Sequence, residues 1–287
     1  MILASLKDAV GLLKKYPAFW VAGIVAGVAL CIDLYLQFTG EVFFASKILL
    51  LGLLIVPFFA AGAYGGAHRE DQSMAVFLEE GKKGYFRILL PAIVLLLAAV
   101  VTLILLAIPI TLILGEGAIA TAGSAIFGVI LSFAFFAYFY DVAAVTEELG
   151  VFASLQRSGA VVLTRLWKVL LFYVTNLIAL FVLGFGVLTA WSMLMYDKLA
   201  PLIESGETFA FDTANATAAQ AQFTALLGPD GAMITAITYA AIVALFVPFA
   251  LAFKAAFYAR QGNGIEVGGV EAPMQGEYDE KGRWYKY

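Results

Sequence analysis

The sequence predicts an all-α membrane protein, a polytopic bundle of six transmembrane helices, and three observations support this. Hydrophobic residues make up 63% of the 287 residues and charged residues 13%, against roughly 45–50% and ~25% in soluble domains. Long uncharged runs recur, each near the about 20 residues that a helix needs to cross a bilayer. Lysine and arginine gather on alternate connections between these runs. A soluble globular enzyme, a disordered chain and a disulfide-linked secreted domain are therefore excluded.

The uncharged runs predict the spans in chain order. They cover approximately residues 16–38, 46–67, 88–115, 117–145, 169–196 and 231–258. Each run is apolar on every face, whereas the strands of a membrane β-barrel would alternate in polarity over about ten residues. Residues 1–260 are thus predicted to form the transmembrane domain. Residues 261–287, with several glycines and mixed charges, are predicted to form a polar cytosolic tail.

The distribution of basic residues predicts the orientation of the chain. Of the 17 lysines and arginines, all but Lys47 and Lys198 fall on one side of the predicted spans. Because basic residues are enriched in cytoplasmic segments, both termini are predicted to lie in the cytosol, with the protein in the cytoplasmic membrane. The long connection on the opposite side contains the triplet Asn215-Ala216-Thr217. This triplet marks Asn215 as a candidate glycosylation site, although such triplets also occur by chance.

An internal repeat is suggested by three similar units, each an inner-surface amphipathic helix followed by a transmembrane hairpin. The three amphipathic segments cover residues 5–20, 77–87 and 154–168. In the first, Leu6, Val10 and Leu13 recur near helical spacing and predict its apolar face. Hairpins of one orientation would be parallel repeats related by an axis along the membrane normal. Shared apolar composition is the alternative source of the similarity.

Prolines and one asparagine interrupt the apolar spans. Pro57 and Pro248 occupy corresponding positions of two units, and Pro109 lies in the third span. All three are predicted to kink their helices. Neighbouring helices could absorb these kinks by packing, or the kinks could expose backbone groups to a substrate. Asn176 lies in the fifth span, where it is predicted to form an interhelical hydrogen bond or to contact a substrate.

Two of the ionisable residues within the predicted spans are the main candidates for function. Asp141 is near the inner end of the fourth span, and Lys254 is near the inner end of the sixth. Charged groups within a membrane are costly and often functional, so these residues are the main candidates for a polar site. They could pair with each other or line a path for protons or ions. Alternatively, Lys254 snorkels to the interface and Asp141 reaches water.

Signals of catalysis and of cofactor binding are scarce. His68 is the sole histidine and Cys31 the sole cysteine, which is too few for the usual ligand set of a zinc site. Neither a nucleophile elbow nor a phosphate-binding loop occurs. The net charge of −4 does not suggest nucleic-acid binding. We therefore expect a protein that is not an enzyme, has no cofactor and does not bind nucleic acid.

The segment from Asp141 to Ser158 carries a resemblance to a known group. It combines an acidic residue and small apolar residues with Glu147-x-x-Gly150 and Leu155-x-x-Ser158. In this it resembles poorly characterised prokaryotic six-span proteins related to the membrane domain of some glycerophosphoryl diester phosphodiesterases. The run from Gly62 to Gly66 is similar to the second-helix exit of that group. The resemblance implies a six-span fold without a catalytic site, because the phosphodiesterase activity belongs to a separate soluble domain.

These observations favour a non-catalytic integral membrane protein that acts as a structural or accessory component of a membrane assembly. Its expected partners are membrane lipids, and other membrane proteins or copies of itself. The alternative is a transporter or lipid-handling protein with a cavity between the helical hairpins. A water-filled cavity that reaches mid-membrane beside Asp141 would favour transport. A dry, closed bundle with one broad apolar flank against other chains would favour the first function.

Overall fold

The computed structural model describes residues 2–114, 118–205, 216–262, 265, 276–278 and 284–286. Within these ranges the helices are α1 (Ile2–Lys15), α2 (Ala18–Phe38), α3 (Val42–His68), α4 (Met74–Leu114), α5 (Ala118–Ala137), α6 (Tyr140–Thr146), α7 (Val151–Thr164), α8 (Leu166–Leu194), α9 (Tyr196–Ser205) and α10 (Ala216–Gln261). In the tail, strands β1 (Gly276–Tyr278) and β2 (Trp284–Lys286) pair antiparallel. Asn215 lies outside the described residues.

The predicted all-α fold with six transmembrane helices is confirmed. In the described part of the chain, six helical segments are long and apolar enough to cross a membrane: Ala18–Phe38, Val42–His68, Met74–Ile110, Ile126–Thr146, Leu166–Leu194 and Thr224–Gln261. The protein is therefore a multi-pass membrane protein. The third segment differs from its predicted form because α4 is one continuous helix of 41 residues. It includes the amphipathic stretch that was predicted to be separate.

The spanning helices pack in a row that curls back on itself. α2 lies between α3 and α10 and packs against both. α4 continues the row beyond α3 and is followed by α5, while α8 packs on the other side of α10. The two ends of the row meet where the rings of Phe135 on α5 and Tyr173 on α8 stack at 5.2 Å. The threefold repeat stays a prediction.

The α2–α10 contact depends on glycines that allow close approach of the two backbones. A Cβ atom at Gly23 would lie 2.4 Å from ring atoms of Pro248. A Cβ atom at Gly27 would lie 2.8 Å from the Ala240 carbonyl oxygen. Small residues at this spacing are a common means of packing membrane helices. The Gly23-x-x-x-Gly27 pair therefore serves contacts within the chain, and Pro248 is part of that contact.

The predicted proline kinks fall within continuous helices. Pro57, Pro109 and Pro248 lie inside α3, α4 and α10, each of which extends on both sides of its proline. The backbone of α10 instead leaves helical geometry at Gly228, whose φ is 62°. Glycine tolerates this left-handed φ because it has no Cβ atom. Lys198 donates a hydrogen bond to the Leu227 carbonyl oxygen just before this break.

The helices α1 and α10 meet at one end of the bundle. We call this the basic end: it is the end at which α2 begins and α3 ends, and it carries Lys7, Lys14, Lys15, Arg69, Arg157 and Arg260 among other cations. α1 packs against α10 and buries Ser5 and Ala9 completely. Val10, which was predicted to lie on the apolar face of α1, is 42% exposed. The buried face of α1 is thus rotated toward its smaller residues.

Large aromatic side chains form the core near the basic end. The rings of Phe139 and Phe257 stack at 5.4 Å, and those of Phe172 and Phe253 at 4.6 Å. All four side chains are fully buried. Stacked aromatic pairs contribute about 0.5–1.5 kcal/mol beyond the area they bury. This aromatic core joins α8 and α10 to the break between α5 and α6.

We expect Gly23→Ala to lower the thermal unfolding midpoint of the detergent-solubilised protein. The added methyl group must displace the Pro248 ring, and such overpacking costs about 1–3 kcal/mol. Gly184→Ala is the matched control, because nothing lies within 4 Å of a Cβ atom at Gly184. Its midpoint should stay unchanged or rise. Equal midpoints for the two variants would contradict the close α2–α10 contact.

Candidate functional site

Asp141 and Lys254 form a buried ion pair. Lys254 Nζ lies 2.8 Å from Asp141 Oδ2, and each residue is only 8% exposed. Tyr64 donates its hydroxyl proton to the same carboxylate oxygen over 3.1 Å, and the Val142 N–H donates to Oδ1 over 2.8 Å. We call Tyr64, Asp141 and Lys254 the charged cluster. It joins α3, α6 and α10, the helices that carry its three side chains.

The ammonium group of Lys254 has a second partner. It lies 4.1 Å from the centroid of the Tyr138 ring, within the range of a cation–π interaction. Lys254 therefore points into the bundle rather than snorkelling to the interface. A buried ion pair needs additional contacts such as these to offset the loss of hydration.

A break in the fourth span positions Asp141. α5 ends at Ala137 and α6 begins at Tyr140, whereas the sequence predicted one continuous helix. Ser158 of α7 bridges the break: its hydroxyl donates to the Phe136 carbonyl over 2.7 Å and accepts from the Phe139 N–H over 2.9 Å. These bonds satisfy backbone groups that the break would leave unpaired. Asp141 then falls in the first turn of α6, facing Lys254.

An open cavity of about 540 Å³, several of whose lining side chains are exposed at the surface of the bundle, reaches the charged cluster. It lies between α4 and α5, and its walls include Leu96, Val100 and Ile130. Apart from Asp141 and Lys254, its polar atoms belong chiefly to two tyrosines; the lining residues are Leu95, Leu96, Ala99, Val100, Leu103, Ile130, Phe133, Ala134, Ala137, Tyr138, Tyr140, Asp141 and Lys254. The cavity is thus apolar along its length and polar at one end.

A second cavity, of about 720 Å³, lies between α5 and α8. It shares Ala134 and Tyr138 with the first cavity, so we treat the two as one crevice on both sides of α5. Asn176 lines this second part of the crevice and not the first part, which contains Asp141 and Lys254. Its Nδ2 donates to the Phe172 carbonyl over 3.0 Å, while its buried Oδ1 has no hydrogen-bond partner among the described residues.

The predicted polar site is therefore divided. Asp141 and Lys254 come together, whereas Asn176 lies in the α5–α8 part of the crevice. The amide of Asn176 donates within its own helix, which differs from the interhelical hydrogen bond that the sequence suggested.

A charged network lies beyond the cluster, nearer the basic end. Tyr258 donates its hydroxyl proton to Glu147 Oε1 over 2.6 Å, and Arg157 Nη2 donates to the same oxygen over 2.9 Å. Arg157 also donates to the carbonyl oxygens of Gly262 and Ile265. From the sequence, Glu147 was named only in the motif Glu147-x-x-Gly150, and Arg157 was counted only among the basic residues. Their contacts tie α6 and α7 to the end of α10.

Glu148, two residues after the end of α6, connects this part of the chain to α4. It accepts hydrogen bonds from Lys83 and Arg87. The hydrogen bond from Lys83 lowers the pKa of the Glu148 carboxyl, so this group is ionised at neutral pH.

Sequence reasoning missed a further buried carboxylate, Asp33 on α2. It is only 3% exposed, and its Oδ2 accepts a hydrogen bond from Gln37 over 2.9 Å. Its other oxygen, Oδ1, has no hydrogen-bond partner within the described part of the chain. The signal was present, because Asp33 is an acidic residue inside the first predicted span.

In the described ranges, no three His, Cys, Asp or Glu side chains are placed to hold a metal ion. His68 lies exposed at the end of α3. The expectation that the protein has no cofactor stays an expectation.

Comparison with known proteins gives one match. A family model described as a domain of unknown function (DUF7847) matches residues 1–261. No curated protein and no solved structure matches the chain. The matched region ends with α10, and it includes the charged cluster and the crevice. The resemblance to the membrane domain of glycerophosphoryl diester phosphodiesterases stays a prediction.

We expect Lys254→Met to lower the free energy of unfolding by about 3–5 kcal/mol, because it leaves the Asp141 carboxylate buried without its partner. The double variant Lys254→Met/Asp141→Leu should recover most of this loss. Unfolding in a denaturing detergent, followed by circular dichroism, measures both.

Lys83→Met is the control for removal of one lysine from an ion pair. Its partner Glu148 has a side chain that is 56% exposed, and exposed pairs contribute about 0–1 kcal/mol. An effect of Lys254→Met as small as that of Lys83→Met would contradict a buried pair.

Proposed function

The chain belongs to the family described as a domain of unknown function (DUF7847), and we propose that it is a non-catalytic lipid-handling protein of the cytoplasmic membrane. The observation that carries this proposal is the crevice beside α5, which is apolar along its walls and ends at the charged cluster. An open crevice that reaches Asp141 supports this proposal over a closed bundle with a purely structural role.

The size and chemistry of the crevice suit an amphiphile. Its two parts, of about 540 and 720 Å³, fall in the usual range of ligand sites, about 300–1,000 Å³ each. Leucine, isoleucine, valine and phenylalanine side chains would surround acyl chains. Tyr138 and Tyr140 line the polar end, and neither hydroxyl bonds to another described residue. These hydroxyls are free to bond the polar part of a lipid.

The contacts of Asp141 favour a structural anion over a relay for protons. Its Oδ2 accepts hydrogen bonds from both Tyr64 and Lys254, and its Oδ1 accepts one from a backbone N–H. These three hydrogen bonds engage both carboxylate oxygens and hold the side chain in one position. We therefore propose that the cluster closes the polar end of the crevice.

A second candidate function is that of an accessory component that contacts other membrane proteins or further copies of the chain. The observation that favours it is the α4 span, whose most apolar stretch has no residue buried within the chain. Its exposed residues include Leu96, Leu97, Val101, Ile104 and Leu105. Such a face fits lipid tails or another apolar helix.

We propose that both termini lie in the cytosol. Arg260, at the end of α10, pairs with Asp8 of α1, which supports placing the N-terminal helix and the end of the last span on the same side. Lysine and arginine concentrate at this basic end, as they do on the cytoplasmic side of membrane proteins.

Ala134→Trp tests the proposal, because Ala134 lines both parts of the crevice and is not a member of the charged cluster. We expect the protein purified in mild detergent to retain lipid, measured by mass spectrometry. The indole should weaken retention by about tenfold, the effect of ~1–3 kcal/mol of steric conflict.

Ala190→Trp is the matched control, since Ala190 is exposed on α8 and lines neither part of the crevice. Equal lipid retention by the two variants and by the unaltered protein would contradict lipid handling through the crevice. A protein that carries no lipid and co-purifies with a membrane protein would instead support the accessory function.

A further inference from the structure

A separate cavity of about 680 Å³ opens at the basic end, between α1, α3 and α10. Its polar lining residues include Lys7, Asp8, Lys15, Tyr64, His68 and Arg260. Three of these carry a positive charge at neutral pH and one carries a negative charge. The lining is therefore cationic, unlike the apolar walls of the crevice.

This basic-end cavity and the crevice lie on opposite sides of the charged cluster. α3, α6 and α10 all run toward the basic end, and each contributes residues to the cavity that follow its cluster residue in sequence. These residues are Ala67 and His68 after Tyr64, Thr146 after Asp141, and Ala255, Ala256, Ala259 and Arg260 after Lys254. The α5 residues that line the crevice precede Asp141. The two cavities are thus separate sites.

Two cations of the cavity are available to a ligand. Lys7 forms no ion pair with a carboxylate of the described residues. Lys15 approaches Glu70 only to 4.0 Å, and the Glu70 side chain is 81% exposed, so this contact is a weak surface pair. Arg260 is held by Asp8. The uncompensated positive charge of the cavity is therefore on Lys7 and Lys15.

Small residues leave room beside these lysines. Gly11 lies on α1 between Lys7 and Lys15, and Ala67 and Ala259 face the cavity from α3 and α10. Lys7 and Lys15 are eight residues apart and differ by about 80° around the axis of α1, and both line the cavity. An anion between α1 and the ends of α3 and α10 could contact both.

We propose that the basic-end cavity binds a phosphate group, carried by a lipid headgroup or by a free phosphate compound, with Lys7 and Lys15 as its cationic contacts. Lysine is a common phosphate ligand, and basic pockets between transmembrane helices bind anionic headgroups. The site needs no occupant in the crevice, so it does not depend on the lipid-handling function.

The test uses the full chain in mild detergent and three probes: dioctanoyl phosphatidic acid, inorganic phosphate, and dioctanoylglycerol, which has the same acyl chains without phosphate. We expect saturable binding of phosphatidic acid and much weaker binding of dioctanoylglycerol. Lys7→Gln/Lys15→Gln should weaken phosphatidic acid binding by about tenfold or more, since each basic residue contributes about fivefold near an anionic headgroup.

The control is Lys14→Gln/Lys82→Gln, which removes the same charge from two exposed lysines that do not line the cavity. Its affinity should match that of the unaltered protein. Competition by inorganic phosphate would identify the phosphate group as sufficient, and its absence would identify a lipid headgroup; both support the site.

Three results would overturn the proposal. The first is an equal loss of phosphatidic acid affinity in Lys7→Gln/Lys15→Gln and Lys14→Gln/Lys82→Gln. The second is equal affinity of the unaltered protein for phosphatidic acid and dioctanoylglycerol. The third is that neither phosphatidic acid nor inorganic phosphate binds saturably. Ala134→Trp should leave phosphate binding unchanged, because Ala134 does not line the basic-end cavity. A failure of the crevice to retain lipid would thus be distinguishable from a failure of this site.

Discussion

The ion pair between Asp141 and Lys254 is the interaction on which the arrangement of the bundle depends. The two residues lie 113 positions apart, on α6 and α10, and within a membrane each charge alone would be costly to bury. Together with the hydroxyl of Tyr64 they satisfy one another. The pair requires Asp141 to face the interior, and the break in the fourth span, bridged by Ser158, is what brings it there.

The charged cluster also divides the bundle into regions of different character. α2, α3 and α10 approach one another through small residues such as Gly23, Gly27 and Gly52, which permit close backbone contact. α5 instead stands beside cavities on both its α4 and α8 sides. The close packing of α2, α3 and α10, compared with the open space beside α5, supports a binding function. The charged cluster separates that open space from the cationic cavity at the basic end.

Much of the fold could be predicted from the sequence, because bilayer thickness sets span length and burial in lipid excludes charge. For the same reason Asp141 and Lys254 stood out as rare ionisable residues. Tyr64 and Ser158 entered only as members of the resemblance motifs, without a role, since their importance depends on partners 77 and 19 residues away. Pro57, Pro109 and Pro248 drew attention, yet the break in α10 is at Gly228, which has a positive φ and is followed by Pro229.

An experimental structure in lipid nanodiscs would test the central claim most directly, namely that the crevice beside α5 holds a lipid whose polar part reaches the charged cluster. The account predicts elongated density between α4, α5 and α8, with its polar end near Tyr138 and Tyr140 and an intact Asp141–Lys254 pair. A crevice closed by α5 packing against α8 and α10, without lipid density and with the pair separated, would contradict it.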